Sequence, residues 1–119
     1  MPTPTVKGKR ILLADDDPSV RNTYGMLLEV DGHRVTAASD GAEALAIYEP
    51  GEFDLVITDY AMPVMKGDQL AASIKRIHPA QRILMITAFY PGEDLQVDRI
   101  LHKPFDLPAL REAIAQALG

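Results

Sequence analysis

The chain has 119 residues, enough for one domain with a single hydrophobic core and too few for two. Its 12 basic and 17 acidic residues give a formal net charge of −5, which argues against direct binding to nucleic acid because that partner usually needs a basic surface. The absence of cysteine excludes disulfides and thiol chemistry, and no apolar run is long enough to span a membrane, so we expect a cytoplasmic protein without a membrane partner.

Short apolar runs alternate with amphipathic stretches along the chain, which predicts alternating strands and helices. The predicted strands are residues 11–14, 34–38, 55–58, 83–87 and 100–101. The predicted helices run from the Asp17–Pro18 start to Asp31–Gly32, from Asp40–Gly41 to near Pro50–Gly51, from near Asp68 to before Pro79, and over residues 107–118. We expect residues 1–9 to form a tail and residues 10–119 to form one domain.

Helical spacing also predicts which side chains face the core. On the second helix, Ala42, Leu45 and Ala46 are expected to point inward. None of the three histidines has a spacing suited to a metal or phosphorelay role, so we expect them at the surface or at an edge. They are His33, His78 and His102.

The alternation of strands and helices predicts a mostly parallel sheet with helices on both faces. Residues 55–58 form an apolar run that ends in a threonine, as expected of a parallel strand that is buried on both faces, and Asp59 follows the run. Open α/β sheets bind ligands at the carboxyl ends of their strands, so Asp59 lies where a functional site is expected.

Acidic residues follow two of the predicted strands. Asp15 and Asp16 follow the first strand, and Asp59 follows the third. In a doubly wound sheet of order 2-1-3-4-5 these strands are neighbours, so the three carboxylates would converge. Two unit charges about 4 Å apart repel by roughly 4 kcal/mol at an effective dielectric constant of about 20. We therefore expect a cation here, and Mg²⁺ suits a set of carboxylates without thiol or imidazole.

Two further polar residues lie at strand ends. Thr87 ends the fourth strand and Lys103 follows the fifth. These groups suit the transfer of a phosphoryl group to Asp59 beside a bound metal ion. The ammonium group neutralises charge on the phosphoryl oxygens, and the hydroxyl donates a hydrogen bond to one of them.

These residues resemble the receiver domain of two-component response regulators over Arg10 to Leu118. The motifs that carry the resemblance are Asp15–Asp16, Asp59, Met62–Pro63, Gly67, Thr87–Ala88 and Lys103–Pro104–Phe105. The resemblance implies a flavodoxin-like fold, a doubly wound five-stranded parallel sheet of order 2-1-3-4-5. That order is known from receivers themselves and is not an independent deduction from the spacing.

The resemblance also implies roles for individual residues. Asp59 would accept a phosphoryl group from a sensor histidine kinase or a phosphotransfer protein, and Thr87 and Lys103 would hold that group. The implied Mg²⁺ ligands are Asp15, Asp16, Asp59 and the backbone carbonyl of Ala61. The domain would catalyse only its own phosphorylation and dephosphorylation, without being an enzyme, and would switch its binding to an output partner.

One segment departs from the receiver pattern. Lys103 follows Thr87 by only 16 residues, and the segment is shorter than in most receivers by about six residues, less than two helical turns. We expect the fourth helix of the family to be shortened or missing between them. Ile100 also replaces an aromatic residue that usually stands three positions before the lysine.

Other departures concern the rim of the site. Ala61 and Phe89 lie two residues beyond Asp59 and Thr87, and neither side chain can orient an attacking water molecule. We therefore expect an acyl phosphate on Asp59 to be lost slowly.

The motifs disfavour three other classes of protein and leave one alternative open. A haloacid-dehalogenase-type phosphatase needs a second acid where Ala61 stands. A flavodoxin-like cofactor site needs a Ser/Thr/Gly-rich loop where the first acids stand, and no Gly-x4-Gly-Lys-Ser/Thr loop for nucleotide hydrolysis is present. The alternative that stays open is a receiver-like interaction module that acts without phosphorylation.

Overall fold

Five strands and four helices make up the regular structure of residues 5–93 and 95–119, which are the residues that the computed structural model describes. The strands are β1 Arg10–Ala14, β2 Arg34–Ala38, β3 Leu55–Asp59, β4 Ile83–Thr87 and β5 Arg99–His102. The helices are α1 Pro18–Val30, α2 Gly41–Ile47, α3 Gly67–Ile77 and α4 Leu107–Leu118. None of these helices is long and apolar enough to cross a membrane.

The strands form one parallel sheet of order β2-β1-β3-β4-β5, which confirms the predicted fold. β3 and β4 are buried at every residue, as expected for central strands covered on both faces. In the register of β1 and β3, Ala14 pairs with Thr58. The residues that follow these two therefore emerge side by side at the carboxyl edge of the sheet.

The sheet separates two layers of the core. Ile11 and Leu13 of β1 contribute to the layer that also contains buried residues of α1 and α4, whereas Leu12 and Ala14 contribute to the layer shared with α2 and α3. This division follows from strand geometry, because successive side chains point to opposite faces of a sheet. Helices on both faces hold the strand ends rigidly in register.

Helices α1 and α2 begin where the sequence predicts, and an aspartate caps each of them. The Asp17 carboxylate accepts a hydrogen bond from the backbone N–H of Ser19 at 2.9 Å, and Pro18 is the first residue of α1. The carboxylate of Asp40 accepts from the N–H of Glu43 at 2.7 Å at the start of α2.

The connection from β4 to β5 contains no helix in its described residues, 88–93 and 95–98, whereas each earlier crossover contains one. This confirms the expected loss of a helix from the shortened segment; the loop predicted at residue 94 lies outside the described residues. As a result Ile100 of β5 is only half-buried. The Asp98 N–H donates to the Ile83 carbonyl at 2.9 Å and fixes the end of the connection to β4.

The prediction for the inward face of α2 was wrong in part. Gly41 and Ala44 are the buried residues of this helix, and Ala46 is exposed. The reason is a close contact, since a Cβ atom at Gly41 would come within 2.5 Å of the Met65 carbonyl oxygen. This contact turns the face that carries Gly41 and Ala44 toward the core.

The prediction that His33 lies at the surface or at an edge was also wrong, since its exposed fraction is 4%. Its Nδ1 accepts a hydrogen bond from the backbone N–H of Lys9 at 2.9 Å, while its Nε2 is buried without a partner. The N–H of Gly8 donates to the Asp31 carbonyl at 3.2 Å, so the end of the predicted tail is bound to the domain. Residues 1–4 of that tail lie outside the described residues.

Candidate functional site

Three carboxylates converge at the carboxyl edge of the sheet. Asp15 and Asp16 follow β1, and Asp59 ends β3, because these strands are neighbours in the sheet. One oxygen from each carboxylate lies within 4.8 Å of those of the other two. The predicted acidic cluster is therefore present.

Burial makes this cluster unfavourable in its fully ionised form. Asp15 is 2% exposed and Asp59 is 8% exposed, whereas Asp16 is open to solvent. Burial is the main cause that raises the pKa of Asp15, and the charges of Asp59 and Asp16 add to it. Burial likewise raises the pKa of Asp59, with Asp16 adding and Lys103 opposing. A cation among these oxygens would relieve the repulsion.

Lys103 supplies one such charge from the end of β5. Its Nζ lies 3.2 Å from Asp59 Oδ1, and its backbone N–H donates to the Thr87 carbonyl at 2.8 Å. Burial favours the neutral amine, yet the adjacent Asp59 carboxylate outweighs burial and raises the pKa of Lys103. The lysine is therefore held as an ammonium ion against the central acid.

Asp15 is fixed by hydrogen bonds on three sides. Its N–H donates to the Ala38 carbonyl at 3.2 Å, and its Oδ1 accepts from the Asp17 N–H at 2.9 Å. Its backbone carbonyl accepts from Nη1 of Arg21 at 2.7 Å. The loop after β1 therefore presents a rigidly oriented acid.

The loop after Asp59 turns sharply, and Gly67 makes the turn possible. A Cβ atom at Gly67 would overlap the carbonyl oxygen of Asp59. The N–H of Gly67 donates to the Tyr60 carbonyl at 2.9 Å, which closes the loop. Ala61 lies in this loop with an exposed side chain.

Thr87 lies at the same edge of the sheet, but its hydroxyl is engaged locally. Its Oγ1 donates to the Phe89 carbonyl at 3.0 Å and accepts from the Phe89 N–H at 3.0 Å. The side chain is buried, with an exposed fraction of 1%. The structure thus places Thr87 at the predicted edge with its hydroxyl bonded to the segment that follows β4.

The donor set fits a hard divalent cation. The three acids offer only carboxylate oxygens, with neither thiolate nor imidazole among them, and Mg²⁺ prefers oxygen ligands of this kind. Asp15, Asp16, Asp59 and Lys103 were predicted to lie together from the sequence, and the structure does bring them together. Arg21 was not predicted, because its sequence signal is no more than a basic residue one helical turn after the Asp17 cap.

A model of the family described as "Response regulator receiver domain" matches residues 11–115 of the chain. This match spans far more than half of the sequence and agrees with the fold and the acidic site, and we conclude that the chain belongs to the response regulator receiver domain family. Members of this family act in two-component signalling, and phosphorylation on an aspartate is their characteristic function.

Two curated relatives illustrate the range of proteins that contain such a domain. The transcriptional regulatory protein GlrR of Escherichia coli is 36% identical over 94% of this chain, which spans 27% of that protein. The response regulator receiver protein CpdR of Brucella abortus is 38% identical, and the match covers 92% of this chain and 97% of CpdR.

Solved structures show the same fold. The response regulator TrrA from Thermotoga maritima, crystallised in complex with Mg²⁺-BeF, superposes with a TM-score of 0.84 at 32% sequence identity. That alignment covers 92% of this chain and 98% of TrrA.

Proposed function

We propose that this receiver domain accepts a phosphoryl group on Asp59. The observation that carries the proposal is the ion pair of 3.2 Å between Lys103 Nζ and Asp59 Oδ1, beside two further acids whose oxygens lie within 4.8 Å. Among the three acids, Asp59 alone forms an ion pair with a lysine in the described residues. Asp59 is therefore the acid at which Lys103 can also contact an attached phosphoryl group.

We propose that Mg²⁺ is held by the carboxylates of Asp15, Asp16 and Asp59 and by the backbone carbonyl of Ala61. When bound, the ion would neutralise charge on the oxygens of the transferring phosphoryl group. The convergence of three carboxylates supports this assignment. The complex of the similar protein TrrA with Mg²⁺-BeF also supports it.

In the proposed reaction a carboxylate oxygen of Asp59 attacks phosphorus and forms an acyl phosphate. With a phosphohistidine donor the P–N bond breaks, and the imidazole leaves with the bonding electron pair and takes up a proton. Lys103 follows the charge from the carboxylate to the phosphoryl oxygens. The Thr87 hydroxyl can donate to a phosphoryl oxygen only by giving up the hydrogen bond that it donates to the Phe89 carbonyl.

Receiver domains interact with histidine kinases or phosphotransfer proteins, and we propose such a donor for this chain. Some relatives carry output domains, and this chain spans 27% of GlrR but 97% of CpdR. We assign residues 10–119 to the receiver domain and residues 1–9 to its tail. Receivers are not enzymes in the ordinary sense. We propose that this chain catalyses only its own phosphorylation and dephosphorylation, and that it is located in the cytoplasm.

A receiver-like module that acts without phosphorylation is the second candidate. Two observations favour it, namely the Thr87 hydroxyl that is satisfied by Phe89 and the absence of a helix in residues 88–93 and 95–98. Both concern the part of the molecule that would transmit a signal, whereas the acidic site itself is complete. Phosphorylation on Asp59 is therefore the better-supported function.

Intact mass after incubation with acetyl phosphate, with and without Mg²⁺, separates the two candidates. We expect a Mg²⁺-dependent gain of one phosphoryl group that is absent in Asp59→Asn. Asp17→Asn is the matched control, because Asp17 adjoins the acid pair but caps α1, and asparagine retains the capping oxygen. No gain in the wild type under any condition would favour the phosphorylation-independent module.

A further inference from the structure

Arg21 forms a hydrogen bond with the loop that carries Asp15 and Asp16, here called the acid loop. The proposed phosphorylation assigns no role to this bond. Its Nη1 donates a 2.7 Å hydrogen bond to the backbone carbonyl of Asp15. Among the three hydrogen bonds that orient Asp15 in the described structure, this is the only one donated by a side chain. The other two partners are backbone groups, so Arg21 is the one partner that a substitution can remove.

We propose that Arg21 is a positioning residue for the metal-binding acids. The inference rests on the proposed Mg²⁺ site, because it concerns the orientation of Asp15 and Asp16 within that site. Arg21 bridges α1 and the end of β1, and it thereby restrains the peptide unit that joins the two acids. Residues that orient the ligands of a metal typically change its affinity by about 10- to 100-fold when they are replaced.

The charge and the hydrogen bond of Arg21 have opposite effects on a divalent cation. A guanidinium group near the acid loop repels Mg²⁺, so an influence through charge alone would make the metal bind more tightly after its removal. The hydrogen bond to the Asp15 carbonyl holds the ligands in place, so its removal would make the metal bind more weakly. The direction of the change in affinity therefore distinguishes positioning from electrostatics.

The first measurement is the Mg²⁺ dissociation constant of the full chain, determined by isothermal titration calorimetry. We expect Arg21→Met to weaken Mg²⁺ binding about tenfold or more. Arg21→Lys keeps the charge and a donor and should stay within about threefold of the wild type, because only its reach and geometry differ. Arg76→Met is the matched control, since Arg76 is exposed in the last turn of α3, about 13 Å along the helix from Gly67 beside the site.

A second measurement is the rate of phosphorylation by acetyl phosphate as a function of Mg²⁺ concentration. For Arg21→Met we expect a higher Mg²⁺ concentration at half-maximal rate and a maximal rate within about threefold of the wild type. A general loss of structure would lower the maximal rate as well. Arg21→Leu, measured in the same way, provides a second variant without charge or hydrogen-bond donor if Arg21→Met does not fold.

Unchanged or tighter Mg²⁺ binding by the folded Arg21→Met or Arg21→Leu variant would overturn the positioning role. Equal weakening by Arg76→Met would also overturn it, because the effect would then not depend on the contact between Arg21 and the Asp15 carbonyl. A wild-type chain that binds no Mg²⁺ would overturn the proposed metal site itself and this inference with it. The failure of the inference alone is thus distinguishable from the failure of the proposed function.

Discussion

Lys75 Nζ lies 2.9 Å from Asp98 Oδ2 and joins the end of α3 to the connection between β4 and β5. The same carboxylate accepts from Arg82 Nη1 at 3.1 Å and from the Ile83 N–H at 2.8 Å. Burial opposes ionisation of Asp98, but the hydrogen bonds from Lys75, Ile83 and Arg82 outweigh it and lower its pKa. In the one crossover where the described residues form no helix, a carboxylate anchors the chain.

Replacement of Asp98 by alanine should lower the free energy of unfolding by about 2–4 kcal/mol, because Lys75 and the Ile83 N–H lose a largely buried partner. Urea denaturation measures this change. Asp54→Ala is a matched control, since Asp54 pairs with Arg10 at a more exposed site, and we expect a loss of about 1 kcal/mol there. Equal losses in the two variants would show that the Asp98 network adds nothing beyond a surface pair.

Buried His33 should make the domain less stable in mild acid. Burial lowers the pKa of His33, with Asp31 opposing this and the charge of Lys9 adding to it. As the pH falls, the unfolded chain therefore takes up a proton at a higher pH than the folded chain does. The stability of the folded domain is unaffected above the pKa of His33 in the unfolded chain, and it decreases as the pH falls from that value toward the pKa in the folded chain. The slope should approach about 1.4 kcal/mol per pH unit between these two values.

His33→Gln tests this assignment, because glutamine removes the titration. The free energy of unfolding should fall less between pH 7 and pH 5 in the variant than in the wild type. His102→Gln is the control, since His102 is exposed. Parallel pH profiles for the wild type and His33→Gln would contradict the prediction.

Val64 has an unfavourable backbone conformation in the loop after Asp59. Its φ angle is 69° and its side chain is 83% exposed. A β-branched residue in the left-handed region is strained by about 1–3 kcal/mol, and burial of the side chain does not compensate here. We expect Val64→Gly to raise the free energy of unfolding by about 1 kcal/mol, less than the full strain because glycine also gains freedom in the unfolded chain.

Thermal unfolding checks the Val64 prediction. Val30→Gly is the control, because Val30 is also exposed but ends α1 without a positive φ angle, and glycine should destabilise it. A Val64→Gly variant that loses as much stability as Val30→Gly would show that the loop is not strained.

Asp15 is expected to reduce the stability of the domain while Mg²⁺ is absent. Asp15→Asn removes one of three converging charges and keeps the oxygen that accepts from Asp17. We expect the metal-free variant to be more stable by roughly 1 kcal/mol, since like charges at this separation repel. Mg²⁺ at about 100 times its dissociation constant should stabilise the wild type by about 2.7 kcal/mol.

Thermal unfolding in EDTA and in Mg²⁺ measures both effects. Asp15→Asn should lose most of the Mg²⁺ response, whereas Asp17→Asn should keep it. An equal Mg²⁺ response in Asp15→Asn and the wild type would contradict the assignment of Asp15 as a metal ligand.

The acyl phosphate of this receiver should be long-lived. Ala61 and Phe89 are both exposed at the rim, and neither carries a group that can orient water toward phosphorus. Phe89→Glu should accelerate dephosphorylation severalfold, because a carboxylate there can accept a proton from water. Phosphate release from purified phosphorylated protein measures the rate, with Tyr90→Glu as the exposed neighbouring control. Rapid release that Phe89→Glu leaves unchanged would refute the prediction.

Local patterns in the sequence were sufficient to predict the elements and the edge of the sheet that carries the site. The caps at Asp17 and Asp40 and the apolar run from Leu55 depend on interactions over a few residues, so they are readable without the fold. The face of α2 was not readable, because it depends on the approach of Gly41 to Met65, 24 residues away in sequence. Likewise the burial of His33 depends on its contact with Lys9.

Residue order alone shows that acids stand at the ends of the first and third strands, that a lysine follows the fifth, and that the fourth helix of the family has no room. The pairing of Lys103 with Asp59, the bond of the Thr87 hydroxyl to Phe89 and the contact of Arg21 with the carbonyl of Asp15 are visible only in the folded chain. Residue types and spacings restrict which groups reach one edge of a sheet. Hydrogen bonds and ion pairs, however, depend on separations of a few tenths of an ångström, which packing of the whole chain sets.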